Sequence, residues 1–282
     1  MKRINIVLLL TIILLVSVSC SSTKKPPGDI VNIRMMTERE LALGNREAGR
    51  GNFDMALGIL KECMRRAVLV DDISLMIRTG ISLGNLLFTL GETDEAYAEF
   101  EKAIALAQRH GKRELLSTSR VYLARANLLS GRSTAQAVLD EVSKEAANIS
   151  DKLFLAFSWQ VRGLALRELR SFAEAENAVR NSLIIHEKEH NLENAAFDWH
   201  LIASIRSLAG NFPGAIQALE ASLALDRRTE NSWGLAANWR AMGDVHRRAG
   251  NNKESMEAYQ RARAIFIAMG NEHEAAEIDK RM

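Results

Sequence analysis

The chain has 282 residues, 47% hydrophobic and 26% charged, the balance of a sequence that folds around a core. Only 6% are aromatic, 3 are proline, and β-branched runs are scarce after the first twenty positions, which excludes a sheet-rich fold. Lys and Arg number 37 against 35 Asp and Glu; setting aside Lys2 and Arg3 leaves 35 against 35, so no net field draws the chain to nucleic acid.

Residues 1–19 read as a signal. Met1-Lys2-Arg3 makes a positive start, and Ile4 to Val16 is a nearly unbroken apolar run of 13 residues. A bilayer span needs about 20, whereas a secretory h-region takes about 7–15. The small residues Ser17-Val18-Ser19 then lead into Cys20. A cysteine in that setting resembles the lipobox of bacterial lipoproteins. The resemblance implies cleavage before Cys20, acylation of its thiol, and a cell-envelope location. Ser17 departs from the aliphatic residue usual there, and an ordinary signal or an uncleaved anchor are the alternatives. Ser21 in place of Asp lacks the inner-membrane retention signal known from enteric bacteria, which favours the periplasmic face of an outer membrane where two membranes exist. Residues 20–30, with Pro26-Pro27 among polar neighbours, have the composition of a short tether. The other cysteine, Cys63, then has no intramolecular partner and reads as a small buried apolar residue.

From residue 31 to 270 the sequence repeats. Gly51, Gly91, Gly131, Arg170, Gly210 and Gly250 stand at intervals of 40, 40, 39, 40 and 40. Seven residues before each is a small residue, Gly44, Gly84, Ala124, Gly163, Ala203 or Gly243, and five after come Ala56, Ala96, Gln136, Ala175, Ala215 and Ser255. Apolar spacing of three and four on either side predicts paired helices A and B, six hairpins in all, stacked as a solenoid. Small residues let the two helices approach, and glycine turns the chain between them. Pro213 falls in the first turn of a B helix, where a missing N–H costs nothing. Residues 271–282 are too short for a further hairpin and predict a partial helix covering the last apolar face.

Leu83-Gly84, Gly91, Ala96, Phe100 and Ala103, and again Trp239, Met242-Gly243, Gly250, Tyr259 and Ala262, resemble the tetratricopeptide repeat family. Trp159 and Trp199 hold the leading Trp position of that pattern and are expected in the core. The resemblance implies an all-α, right-handed α–α superhelix. The usual repeat is 34 residues; 40 is similar to the longer repeats of kinesin light chains and Pins-type adaptors, and the final Pro is missing. Helix A lines the inner groove in this family, which places Arg78, Ile81, Asn85, Phe88, Arg125, Phe157, Phe197, His200 and Arg240 there, alongside Gln160. The mixture of apolar and basic groups suits a protein or extended peptide with acidic groups.

Little else points to chemistry. His186-Glu187-Lys188-Glu189-His190 satisfies H-E-x-x-H, but it falls at the end of a B helix where neighbouring repeats carry solvated residues. No phosphate loop, Cys-x-x-Cys pair or serine nucleophile motif occurs, and the carboxylates are expected on solvent faces. The chain is therefore read as a non-enzymatic scaffold without cofactor or metal, held at a membrane through Cys20. The rival is an accessory to transport that binds a hydrophobic small molecule, with Gly80 leaving space beside Leu41 and Ile81.

Overall fold

The structure is a computed structural model that describes residues 28–282; the signal and Cys20 lie outside the described residues. Thirteen helices and no strand occur among them: α1 (Gly28–Gly49), α2 (Phe53–Leu69), α3 (Ile73–Leu90), α4 (Thr93–Arg109), α5 (Arg113–Leu129), α6 (Ala135–Ala146), α7 (Lys152–Glu168), α8 (Phe172–Lys188), α9 (Leu192–Leu208), α10 (Phe212–Arg228), α11 (Ser232–Arg248), α12 (Asn252–Ala268) and α13 (Glu272–Asp279). Each odd-numbered helix pairs with the even-numbered helix after it, and each hairpin stacks on the next. The six hairpins and the terminal helix are those the 40-residue period predicts.

The small residues at that period set the hairpin spacing. A Cβ on Gly84 of α3 would stand 2.7 Å from the Phe100 ring of α4, and one on Gly243 of α11 would stand 2.5 Å from Tyr259 of α12. Glycine there lets a large aromatic ring fill the interior, and Phe100 and Tyr259 are each 1% exposed. The turns follow the same rule with one exception. Gly91 ends α3 at φ 83°, whereas Arg170 makes the equivalent turn at φ 61° without glycine, a conformation costing an L-residue roughly 1–2 kcal/mol. After the turns, Asn211 and Asn231 each accept the backbone N–H three residues on, and Pro213 sits in the first turn of α10.

The third hairpin departs from its neighbours. Its second helix, α6, has 12 residues instead of 17 and starts only after Thr134, whose hydroxyl accepts from Ala137 N. The later start rotates the helix, so Val138 and Val142 face the core while Gln136, expected at the small inner position, is exposed. Helix α3 is long and apolar enough to cross a bilayer by length and composition. Its apolarity has another cause: α1, α2, α4 and α5 all pack on it.

The two ends differ from the sequence expectation in opposite degrees. At the C-terminus α13 does cover the last hairpin, burying Ala275 and Ile278 beside Tyr259 and Phe266. At the other end α1 begins at Gly28, inside the segment read as tether, and runs for 22 residues, because Gly28 to Met36 continue the helix rather than lead into it. The superhelix also meets itself. The Arg50 guanidinium donates to Glu193 Oε1 at 2.9 and 3.1 Å and to the Thr229 carbonyl at 2.9 Å. Beside it the Phe53 ring meets Trp233 edge-on at 5.2 Å. The first turn of the solenoid thus seats against the starts of α9 and α11, closing one superhelical turn.

Candidate partner-binding groove

Successive odd-numbered helices touch one another along the whole solenoid, and they touch more closely than the even-numbered ones do. The odd-numbered helices therefore line the inside, where helix-A residues were placed. The side chains there form a ladder between hairpins rather than a row of free groups. Arg125 Nη1 donates to Asn85 Oδ1 at 2.9 Å, and Arg240 Nη1 to Glu274 Oε2 at 2.7 Å. His200 Nδ1 lies 2.8 Å from Asn238 Oδ1. Burial holds His200 below its usual range, so the ring is neutral at pH 7 and Nδ1–H is the donor, leaving Nε2 as an acceptor.

Aromatic rings occupy the middle of this surface. Tyr122 stacks on Phe157 with centroids 3.9 Å apart and planes 17° apart, and burial pushes its phenol up to about 12. Phe197, 41% exposed, presents the most open ring. Arg78 is half-buried on α3, and Phe88 packs partly on the Ala96–Phe100 cluster. Ile81 is different: it is 3% exposed and belongs to the core with Ile77, Ala103 and Ala107. Gln160 is also buried, because its amide donates to Asp198. Beside Gly80 the structure leaves room for a methyl group, which would touch Ala103 at 3.6 Å and Met64 at 3.8 Å.

Behind the groove the later hairpins enclose polar networks that sequence reasoning missed. Asp198, 0% exposed, accepts from Gln160 at 2.8 Å, Ser182 at 3.1 Å and His186 Nδ1 at 2.6 Å. Forty residues on, Asn238 donates to Ser222 at 2.8 Å and Asp226 at 2.7 Å, and Asn231 donates to Asp226 at 2.8 Å. Burial pushes Asp226 up to about 6, against the pull of those two amides. Glu145 is likewise buried, accepting from Ser117 and Arg120. The expectation that carboxylates stay on solvent faces fails at these three positions. The signal was available in the repeat: Thr79, Ser119, Ser158, Asp198 and Asn238 all stand five residues before the small residue of their helix, and all are buried.

His186 is therefore a core residue and not the solvated helix end expected of it. Helix α8 ends at Lys188 and His190 turns at φ 54°, so the two histidines of H-E-x-x-H do not share a helical face. Ser182 and Asp198 both approach the same nitrogen of His186, which is not the arrangement of a nucleophile relay. Among the described residues no three His, Cys, Asp or Glu side chains gather as metal ligands. Trp159, Trp199 and Trp239 are half-buried against the edge of the core rather than enclosed, and Arg261 lies over Trp239 at 4.5 Å.

Family models for the tetratricopeptide repeat match residues 195–268 and residues 81–110. These two segments carry tetratricopeptide repeats, within a solenoid that keeps the same period. Its repeats superpose on solved solenoids of low sequence identity. Rap protein, complexed with Competence and Sporulation Factor, matches with a TM-score of 0.60 at 14% identity, over 86% of this chain and 72% of Rap. BtubC from P. vanneervenii matches at 0.55 and 17% identity, over 83% and 92%. PilW, a widely conserved type IV pilus biogenesis factor, matches at 0.50 and 12% identity, over 82% and 94%. No curated protein matches the chain in sequence. These likenesses establish the tetratricopeptide fold, a right-handed α–α superhelix, and nothing finer.

Proposed function

We propose that this tetratricopeptide repeat protein is a scaffold of the bacterial cell envelope, held to a membrane by an acylated Cys20, whose inner groove captures a segment of a partner protein. The observation that carries the capture role is the aromatic strip of Tyr122, Phe157 and Phe197, flanked by Arg78, Arg125 and Arg240 on the inside of the superhelix. Rigid rings and guanidinium groups give contact area and charge at low entropic cost, the features that concentrate binding energy at protein interfaces. A binding role also accords with the groups present: the buried Ser, His and Asp side chains serve packing and are closed to a substrate. Rap, on a similar fold, is complexed with Competence and Sporulation Factor, which supports a capture role.

The experiment is a crosslinked pull-down of the full chain from solubilised membranes, comparing wild type with Arg78→Glu plus Phe197→Ala. Neither residue makes a ladder hydrogen bond, so the far-UV helix signal stays unchanged. A partner recovered by wild type and lost from the double variant supports the groove; equal recovery rejects it. Palmitate labelling that is abolished by Cys20→Ser supports the anchor, and its persistence rejects it.

A further inference from the structure

Among the described residues the solenoid is capped at one end only. On α3, Leu75, Met76 and Leu83 pack against α2 of the preceding hairpin. Forty residues earlier Met35, Met36 and Leu43 hold the same places on α1, where no hairpin precedes among the described residues, and they are 46%, 52% and 39% exposed. Val31, 52% exposed, extends the same face by one turn. Terminal repeats of solenoids ordinarily turn a polar face outward, as α13 does at the far end with Glu272, His273 and Asp279 exposed.

The charges on this face have one sign. Arg39 and Arg46 lie among the apolar residues at helical spacing, both exposed and without an ion-pair partner among the described residues. Three glutamates of α1 are engaged elsewhere: Glu40 pairs with Arg66 at 2.7 Å, Glu47 accepts from Asn52 at 2.7 Å, and Glu38 faces Arg34. A second copy seated face to face would set Arg39 and Arg46 against like charge. An anionic lipid surface accepts both the apolar side chains and the guanidinium groups. Only seven residues lie between Cys20 and Gly28 in number, including Lys24 and Lys25. The eight Cα–Cα steps span at most about 30 Å, so α1 is within reach of whatever surface holds Cys20.

We infer that the outer face of α1, formed by Val31, Met35, Met36, Leu43, Arg39 and Arg46, lies in the interface of an anionic bilayer and fixes the solenoid's orientation on it. This rests on the membrane-anchor reading. The test uses the full acylated chain reconstituted into vesicles of phosphatidylethanolamine and phosphatidylglycerol. An environment-sensitive fluorophore is placed at Met35→Cys and, as control, at Ile184→Cys on α8, which is 61% exposed; Cys63 is buried and stays unlabelled.

Spin-labelled lipid is expected to quench position 35 at least threefold more than position 184. Arg39→Glu with Arg46→Glu is expected to remove most of that difference while the protein still sediments with the vesicles. Equal, weak quenching at both positions in sedimenting protein overturns the inference and leaves the anchor standing. Energy transfer between copies labelled at position 35, without lipid quenching, assigns the face to a second copy and also overturns it. Failure of the wild type to sediment overturns anchor and inference together.

Discussion

The first and last halves of the solenoid repeat one backbone around different interiors. In the first two hairpins the positions between α2, α3 and α4 hold Cys63, Ala67, Ala103 and Ala107, and the fit is apolar. In the fourth and fifth, the same places hold Ser182, His186, Ser222 and Asp226, each tied to Asp198 or Asn238 on the next odd-numbered helix. Apolar contact is tolerant of small shifts, whereas hydrogen bonds fix one register between hairpins and penalise its loss. At these places the fourth and fifth hairpins are therefore held by buried directional contacts, where the first two meet through apolar side chains.

The column that runs through both halves gives the sharpest way to break this comparison. Asp198→Ala leaves Gln160, Ser182 and His186 buried without their acceptor, and the expected loss is about 3–5 kcal/mol by urea unfolding. Thr79→Val at the equivalent place is expected within about 1 kcal/mol of wild type and on the stabilising side, since the Thr79 hydroxyl already lacks a partner. Equal losses at the two positions would erase the distinction between the halves.

The second effect is one of pH. The unfolded Asp226 carboxyl titrates at its ordinary value of 3.8, and burial raises it to about 6 in the fold. The folded chain thus holds that proton more tightly. The contribution is fully present below about pH 4 and is lost as pH rises through 6. Asp226→Asn removes this titration, so the melting temperature of wild type minus variant is expected to fall between pH 4 and 6 and then level. A difference that is flat across that window contradicts the assignment.

A smaller effect than that at Asp198 is expected at Cys63, the first-half counterpart of Ser182 and Ser222. It is 0% exposed, and burial pushes its thiol up to about 11. Cys63→Ser is expected to cost about 1–2 kcal/mol, because the hydroxyl finds only the Thr37 carbonyl nearby among apolar neighbours. In the wild type a thiol reagent at pH 8 is expected to leave Cys63 unmodified until the chain unfolds.

Period alone determined the fold: small residues every 40 positions state where two helices must approach, and a glycine near each turn states where the chain reverses. The resemblance to the tetratricopeptide repeat family, rather than the period, placed the odd-numbered helices inside and Phe157, Phe197 and Arg78 near the groove. Tertiary structure decided the rest. It made Ile81 and Gln160 interior, rotated Gln136 out of the third hairpin, and joined Asn85 to Arg125 across a repeat. It also brought Arg50 and Phe53 to Glu193 and Trp233, more than 140 residues away in the chain. Periodicity records which face of a helix a residue occupies, a local property. What covers that face depends on how successive hairpins twist, and only the accumulated twist of the whole superhelix sets that.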